Sequence, residues 1–472
     1  MNNKERKKSF FQPIIIILLI IVFIKILFII SKNHTLFWDE AVYLSMGKWL
    51  YSNGTIGLWE IIRPLGFPLI LGLFWKLNFN YLISADIVIL LFTIGTIYLT
   101  YLISKIIFNK QIALLSSILL FLTPIFFYNS FTIMTSIPSL FFILLSLYFY
   151  ITKKYIYSGI FSSIAFTIRF PSAIIFIAIN LIWLYEQIKS KKFNLNIKKI
   201  KPIIKYNISF IIIISSYLII NKISYGSFIE PLLLAGDHQS VAIRNIKGIF
   251  SNILYYPYTL LITNIFFIFF IFQKKIKNKK LYLILIPLIT IFSYFTYIPH
   301  KQPRFAILFL PFLSILASIG FYNFINYFKQ KKIKTILSII IICIFLSHPI
   351  IIDYKLFKEF PNQKLDIVTE YYEFFNNADI NDSILTTEPH HAFYTNKKYI
   401  QFYNNITDAN NIYDKNIKLA NAIIYTPASF PCLNNQCNIS KQLLEQKIKN
   451  DCILIYNQSW WGNLKQIYIK KE

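Results

Sequence analysis

Acidic residues, arginine and paired cysteines are all scarce in this 472-residue chain. It holds 21 Asp and Glu against 48 Lys and Arg, and only five of those 48 are arginine. The four cysteines form no CxxC pair, and no histidine stands at ligand spacing from them. This pattern argues against a zinc site built from cysteine and histidine.

Apolar residues, in contrast, are abundant. They make up 56% of the chain, the mean hydropathy is +0.53, and Ile-rich and Phe-rich runs recur along the first three quarters. Such runs are typical of a polytopic membrane protein, because each must satisfy its backbone within lipid as a helix. The net charge of +27 would suggest nucleic acid in a soluble protein. Here the lysines collect in short loops between apolar runs, so we predict a bilayer and no nucleic acid as partner.

The positions of the lysines predict the topology. We expect a cytoplasmic N-terminus, an uncleaved first span and a large outer loop at 32–80, within a membrane region covering 1–352. The protein would be a multi-pass protein of the cell membrane. About eleven spans are predicted, at 13–31, 81–104, 111–128, 137–152, 155–170, 172–188, 203–221, 253–272, 281–298, 305–327 and 335–352.

The segment 353–472 differs in composition and holds 13 of the 21 acids. Short β-like runs (383–387, 422–426, 452–456) alternate with helix-like stretches (365–375, 440–448), which predicts a small extracytoplasmic α/β domain. Cys432 and Cys437 are close enough for a local disulfide, and free thiols are an equal alternative. We interpret His390 and His391 as surface loop residues.

Asp39 and Glu40 directly follow the first span. A carboxylate at the outer membrane surface can accept a proton from a hydroxyl as that oxygen attacks an anomeric carbon. Adjacent side chains on a helix point in different directions, so the two acids would have different tasks. The alternative is a pair of acids that stabilises a helix N-terminus. A third acid, Asp86, falls inside a predicted span and is a functional candidate because a buried carboxylate is costly there.

Four of the five arginines map to the outer side: Arg63, Arg169, Arg244 and Arg304. In a chain that defaults to lysine, they indicate a task such as two-pronged binding of phosphate. The alternative is that they lie at the interface or pair with Asp39 or Glu40.

A second basic cluster, His300, Lys301 and Arg304, lies between two predicted spans on the outer side. Fixed positive charge there would stabilise a phosphodiester that gains negative charge as it leaves. An ordinary interfacial loop is the alternative, although it would seldom combine two prolines, His, Lys and Arg.

Together these residues resemble the GT-C superfamily of membrane glycosyltransferases, which use polyprenyl-phosphate sugars. Asp39-Glu40 is similar to the acidic pair that follows the first span in that superfamily. Trp59-Glu60 with Arg63 and Pro68 resembles a stretch of the dolichyl-phosphate-mannose-dependent mannosyltransferases, as does the run from His300 to Phe305. The general plan also resembles the protein O-mannosyltransferase and aminoarabinose-transferase branch, in which a soluble outer domain follows the last span.

The resemblance implies an inverting transfer of mannose or a similar hexose from a polyprenyl-phosphate carrier to a hydroxyl of a glycan, lipid or protein. No cofactor is certain, and a divalent cation stays open. Gln302 stands where the mannosyltransferases have Glu, and no acid precedes Pro138. The resemblance assigns these residues: catalytic Asp39 and Glu40; donor phosphate-binding Arg63, His300, Lys301 and Arg304; substrate-binding Trp59, Glu60, Arg169 and Arg244.

Two other classes of protein compete with this interpretation. A transporter or flippase of lipid-linked sugars should show internal repeats and polar residues at the membrane midplane, and neither is evident. A receptor or scaffold that functions through its outer domain leaves the outward acids and arginines unexplained.

Overall fold

The computed structural model describes most of the chain. The described residues are 13–31, 36–189, 197–240, 249–272, 280–298, 300–328, 330–359, 383–402, 406–430, 435–460 and 463–471.

Fifteen α-helices lie in the described part of the chain up to residue 359. They are α1 Pro13–Ser31, α2 Trp38–Tyr51, α3 Gly66–Lys76, α4 Tyr81–Ile107, α5 Lys110–Phe121, α6 Pro124–Asn129, α7 Ser136–Ile151, α8 Tyr155–Ile168, α9 Ile174–Lys189, α10 Ile197–Tyr225, α11 Glu230–Ser240, α12 Ile249–Thr263, α13 Tyr282–Tyr297, α14 Leu310–Ile325 and α15 Lys331–Glu359.

The predicted helical membrane fold is confirmed. Each of the eleven predicted spans coincides with an apolar helical segment, but some of them are broken. The span at 111–128 is broken before Pro124, where α6 begins, and the span at 253–272 is broken at Asn264, after which a 3-10 helix, Ile265–Ile271, follows α12. Among the described residues, five segments are long and apolar enough to cross a membrane, and six further apolar helices have 10–17 residues. The five long segments are Pro13–Ile30, Tyr81–Ile107, Phe170–Lys189, Lys199–Tyr225 and Lys332–Leu356.

The chain divides into two compact units, Met1–Lys32 with Asp86–Asn362, and Asn33–Ala85 with Gln363–Glu472. The first unit has one large apolar core in which bulky side chains such as Phe126, Phe266 and Phe295 are almost wholly buried. Burial of this much aromatic surface is the main stabilising contribution within the helical unit.

A buried ion pair lies in this first unit. Lys25 of α1 lies 3.8 Å from Asp86 of α4, and its ammonium also donates to the carbonyl of Ser130 at 2.8 Å. Both side chains are only 2–3% exposed. The sequence singled out Asp86 as a functional candidate, but it gave no signal for Lys25 as its partner. The pair shows that Asp86 contributes to the joining of α1 and α4.

The second unit begins with two helices that cross very closely. A Cβ on Gly72 of α3 would lie 2.5 Å from the carbonyl oxygen of Gly47 on α2, so both positions need glycine. Strand β1, Gly57–Leu58, follows α2. Gly57 has a φ of +95°, a conformation that side chains other than glycine rarely adopt.

Strand β1 belongs to a six-stranded sheet whose other strands lie in the C-terminal segment. The order is β1-β3-β2-β4-β6-β5; β1, β3, β2 and β4 are parallel, and β6 is antiparallel to both β4 and β5. The bounds are β2 Ser383–Thr386, α16 His390–Tyr394, β3 Lys398–Gln401, α17 Ile406–Asn416, β4 Ala420–Tyr425, α18 Asn435–Asp451, β5 Cys452–Trp460 and β6 Asn463–Lys470.

This topology confirms a small strand-containing region at the C-terminus. All three predicted β-like runs are strands, and the predicted helix at 440–448 lies within α18. The predicted helix at 365–375 lies outside the described residues. Cys437 is disulfide-bonded, whereas Cys432, its predicted partner, also lies outside them.

Candidate active site

The two acids at the start of α2 have different environments, as their adjacency predicts. Glu40 is fully buried, and its carboxylate accepts a hydrogen bond of 2.8 Å from the backbone N–H of Phe37. It therefore satisfies a donor at the helix N-terminus, where negative charge is favourable. The Asp39 side chain is 15% exposed. Of the two predicted catalytic acids, Glu40 stabilises the helix end and Asp39 is the one that solvent reaches.

Arg63 binds two carboxylates at once. Its NH2 group lies 2.8 Å from Asp39 Oδ1, and its Nε lies 2.8 Å from Glu60 Oε2. Burial alone would lower the pKa of Arg63, but the charges of Asp39 and Glu60 hold that pKa well above its usual value. Two edges of the guanidinium are thus occupied by acids. This geometry favours the alternative of pairing with Asp39 over the predicted binding of a donor phosphate.

The predicted substrate-binding residues Trp59 and Glu60 follow β1 directly. Glu60 is 1% exposed and holds Arg63, so it acts through that arginine. The ring of Trp59 packs against Trp49 of α2 with 4.6 Å between centroids and remains partly exposed. Trp59 is therefore the member of this pair with surface left for a ligand.

Two histidines of the C-terminal segment lie in the same unit as Asp39. His390 Nε2 is 3.0 Å from the carbonyl oxygen of Leu36, and its ring meets Trp38 edge-on at 6.1 Å. His391 is 1% exposed, and burial lowers its pKa to about 3. The expectation that both are surface residues is wrong. Their position at the carboxyl end of a predicted strand was the signal in the sequence.

An ion pair lies close to these histidines along the chain. Glu388 accepts from the ammonium of Lys465 on β6, and both side chains are largely buried. Burial alone would raise the pKa of Glu388, but the charge of Lys465 lowers it below its usual value. Neither Glu388 nor Lys465 was singled out in the sequence, because their strands are far apart along the chain.

In the first unit, His300, Gln302 and Arg304 form a hydrogen-bonded series. The Arg304 Nε–H can only donate, and it does so to Gln302 Oε1. The other end of the amide, Gln302 Nε2, must therefore face His300 Nε2, which lies 2.8 Å away. Because the amide nitrogen donates, His300 Nε2 accepts, and the imidazole is neutral with its proton on Nδ1.

Lys301 points away from this series. Its ammonium donates to the carbonyls of Phe295 at 2.7 Å, Thr296 at 2.8 Å and Ile298, which end helix α13. The side chain is 2% exposed. An ammonium has three N–H donors, and all three have backbone acceptors here. The geometry therefore places Lys301 at a helix C-terminus, where a cation is favourable, and not on a phosphate as predicted.

Arg169, a predicted substrate-binding residue, lies beside the predicted phosphate cluster. Its guanidinium is 5.2 Å from the ring centre of Phe305, and that ring lies 5.9 Å from the ring of His300. Arg169 also donates to Ser136 Oγ at 2.5 Å. Arg304 contacts the sulfur of Met134, which precedes Ser136 by two residues. The structure thus brings Arg169, His300 and Arg304 together around one short loop.

Arg244 lies outside the described residues. Within the described ranges no three His, Cys, Asp or Glu side chains come together as metal ligands.

Comparison with known proteins identifies the fold. The profile of the family described as dolichyl-phosphate-mannose-protein mannosyltransferase matches residues 62–220. ArnT from Cupriavidus metallidurans, in a crystal structure bound to undecaprenyl phosphate, superposes with a TM-score of 0.66 over 96% of this chain and 97% of its own, at 9% identity.

The chain has the GT-C fold. The resemblance found in the sequence is thereby confirmed. A second GT-C structure, the Archaeoglobus fulgidus oligosaccharyltransferase, superposes with a TM-score of 0.58 over 89% of this chain and 70% of its own, at 12% identity. No curated protein sequence matches the chain.

Proposed function

We propose that this GT-C protein is a membrane glycosyltransferase that transfers a hexose, mannose or a close relative, from a polyprenyl phosphate to a hydroxyl acceptor. The observation that carries the proposal is the state of Asp39. Its carboxylate is partly exposed at the start of α2 and is fixed by Arg63, which Glu60 fixes in turn. A partly exposed carboxylate that is held in one orientation is the arrangement that a general base requires.

In the proposed reaction Asp39 takes the proton of the acceptor hydroxyl as its oxygen attacks the anomeric carbon. The bond from that carbon to the phosphate oxygen breaks on the opposite face, so the configuration inverts. The electron pair stays on the leaving polyprenyl phosphate. Negative charge therefore grows on the phosphate, where fixed positive charge and hydrogen-bond donors lower the barrier.

Arg169, His300 and Arg304 are proposed to act on that phosphate. Two guanidinium groups and one neutral imidazole lie around the loop at 134–136 in the first unit. Guanidinium groups bind phosphate oxygens through two parallel bonds, which a lysine cannot do. Undecaprenyl phosphate bound to ArnT, a protein of the same fold, supports a carrier of this class.

The placement in the cell remains part of the proposal. The lysine-rich loops favour a cytoplasmic N-terminus, and they favour the outer side of the cell membrane for the loop at 32–80 and the segment 353–472. The membership of β1 in the C-terminal sheet supports a shared side for these two segments, because strands of one sheet cannot lie on opposite sides of a bilayer.

The test is a transfer assay on the purified protein with radiolabelled undecaprenyl-phosphate mannose or glucose and a detergent extract of cell-envelope acceptors. We expect Asp39→Asn to reduce transfer at least a hundredfold without a change in melting temperature. Asp414→Asn is the matched control, since Asp414 is 53% exposed and pairs only with Lys447 among the described residues. Equal transfer by wild type and Asp39→Asn would refute the assignment of the base. Movement of lipid-linked sugar across vesicles without any transfer would favour a flippase.

A further inference from the structure

The carboxyl ends of two parallel strands lead to the start of α2. After β1 ends at Leu58, the chain reaches Arg63, which binds Asp39. After β2 ends at Thr386, the chain reaches His390, which contacts the carbonyl of Leu36 and the ring of Trp38. The carboxyl edge of the sheet in the second unit is therefore the edge nearest to the proposed base.

The strand order predicts a crevice at this edge of the sheet. From β2 the chain passes through α16 to β3 on one side of β2, whereas from β4, on the other side of β2, it passes through α18 toward β5. Connections that leave neighbouring parallel strands in opposite directions separate above the sheet. Here the separation falls between the carboxyl ends of β2 and β4. Ligands of open parallel sheets bind at such a position.

Polar groups collect at this crevice. Thr387, after β2, accepts the backbone N–H of Thr426, after β4, at 2.8 Å. Lys465 of β6 is level with Thr426, because its neighbour Gln466 pairs with Tyr425, and it reaches across to Glu388. Thr426 is 1% exposed, and its hydroxyl has no hydrogen-bond partner among the described residues. A buried hydroxyl without a partner is costly, and a bound ligand would satisfy it.

The chemistry of these groups selects the ligand. Glu388 accepts, Lys465 donates and Thr426 does both, which suits neighbouring hydroxyls of a sugar ring. Trp38 adds an aromatic ring at the side of Asp39, and small-molecule sites combine such rings with a few convergent polar groups. A peptide, in contrast, would offer its backbone to an exposed strand edge, and β4 lies inside the sheet.

We propose that the crevice between the carboxyl ends of β2 and β4 binds the acceptor, and that this acceptor is a carbohydrate held by Glu388, Lys465 and Thr426 beside Asp39. This inference rests on the proposed function and specifies its acceptor. It gives the C-terminal segment a direct part in the reaction, because the crevice would present a sugar hydroxyl to the base.

The first test is kinetic, with undecaprenyl-phosphate hexose as donor and nitrophenyl hexosides as acceptors. We expect Glu388→Gln and Lys465→Gln to raise the acceptor KM at least tenfold and to leave the donor KM within twofold. The exchange variant Glu388→Lys with Lys465→Glu keeps an ion pair but reverses its donors and acceptors. It should retain the melting temperature and still show the raised acceptor KM. An exchange variant with the wild-type acceptor KM would overturn the proposal, because the pair would then serve only stability.

The second test needs no transfer. Saturation-transfer difference NMR with methyl α-mannoside and methyl α-glucoside on the purified full-length protein should show binding by wild type and by Asp39→Asn. Thr426→Val, which has the same shape without the hydroxyl, should lose it. Binding that survives in Thr426→Val and in the exchange variant, or no binding by wild type, would refute the site. Loss of transfer in Asp39→Asn would meanwhile support the proposed function independently.

Discussion

Arg63 spans two acids, with one edge of its guanidinium on Asp39 and the Nε edge on Glu60. Arg63→Lys keeps the charge, but a lysine is a point charge and cannot hold both carboxylates in this geometry. We expect kcat to fall about tenfold to a hundredfold, equivalent to about 1.4–2.7 kcal/mol. The donor KM should change little, because Arg63 acts through Asp39.

Arg304→Lys is the informative comparison for this kinetic experiment. Arg304 belongs to the cluster proposed to bind phosphate. Arg304→Lys should therefore raise the donor KM in addition to lowering kcat. A rise in donor KM for Arg63→Lys with unchanged kcat would return Arg63 to the phosphate-binding role that the sequence suggested.

Gln302 fixes the protonation of His300, since its amide nitrogen faces the ring nitrogen Nε2. In Gln302→Glu both side-chain oxygens can only accept, so His300 must carry a proton on Nε2 and the imidazolium form becomes favoured. We expect ¹⁵N NMR of histidine-labelled protein at neutral pH to show an unprotonated Nε2 in wild type and a protonated one in the variant. The spectrum of His300→Asn identifies the signal. Identical signals in wild type and Gln302→Glu would contradict the orientation of the amide.

Helices α2 and α3 depend on the close approach of Gly47 and Gly72. A methyl group on Gly72 would lie 2.5 Å from the Gly47 carbonyl oxygen and 2.6 Å from Tyr51, so the helices must separate. We expect Gly72→Ala to lower the free energy of unfolding by about 1–3 kcal/mol. The reason is steric, because alanine otherwise favours a helix over glycine.

The matched control for Gly72→Ala is Gly236→Ala on α11, where an added Cβ meets no atom within 4 Å. It should leave stability unchanged or raise it slightly through helix propensity. Thermal unfolding of the detergent-solubilised protein measures both variants. Equal melting temperatures for Gly72→Ala and wild type would show that the crossing can relax.

The helices and strands differ in how far the sequence alone could predict them. Long apolar runs identified the helices, since every span must satisfy its own backbone. Strand β1 has only two residues, Gly57 and Leu58, and lies about 340 residues from its partner β3, so no local pattern could reveal it. Lys301 could not be distinguished from a phosphate ligand, because its acceptors are backbone carbonyls that every sequence has.

Across the whole molecule, the predicted site residues belong to two units. Each unit combines segments that are far apart in the sequence. Asp39, Glu60 and Arg63 were recognised because they are close in sequence, and Arg63 indeed contacts both acids. The crevice residues Glu388, Thr426 and Lys465 come from three separate strand ends, and only the sheet order brings them together. The GT-C fold was recognisable from ordered motifs, whereas the proposed acceptor crevice became visible only with the sheet topology.

The stability of the second unit should depend on acidity through its buried histidines. Burial lowers the pKa of His391 to about 3 from a usual 6.5, so the folded state resists a proton that the unfolded chain accepts. Stability is therefore highest above about pH 6.5 and falls as the pH decreases through the window toward 3. Each pH unit within this window costs about 1.4 kcal/mol per histidine at most. The pKa of Glu388 is also lowered in the folded state. Its carboxylate therefore adds a further loss of stability only when the pH falls below 4.5, the usual pKa of a glutamate.

His391→Gln removes the group that titrates, so its melting temperature should fall less than that of wild type between about pH 7 and about pH 5. Differential scanning fluorimetry across this range measures the difference. Lys447→Gln, on the exposed face of α18, should follow the wild-type curve, because its partner Asp414 is solvated. A wild-type curve that stays flat down to about pH 5 would mean that His391 is not held neutral by burial.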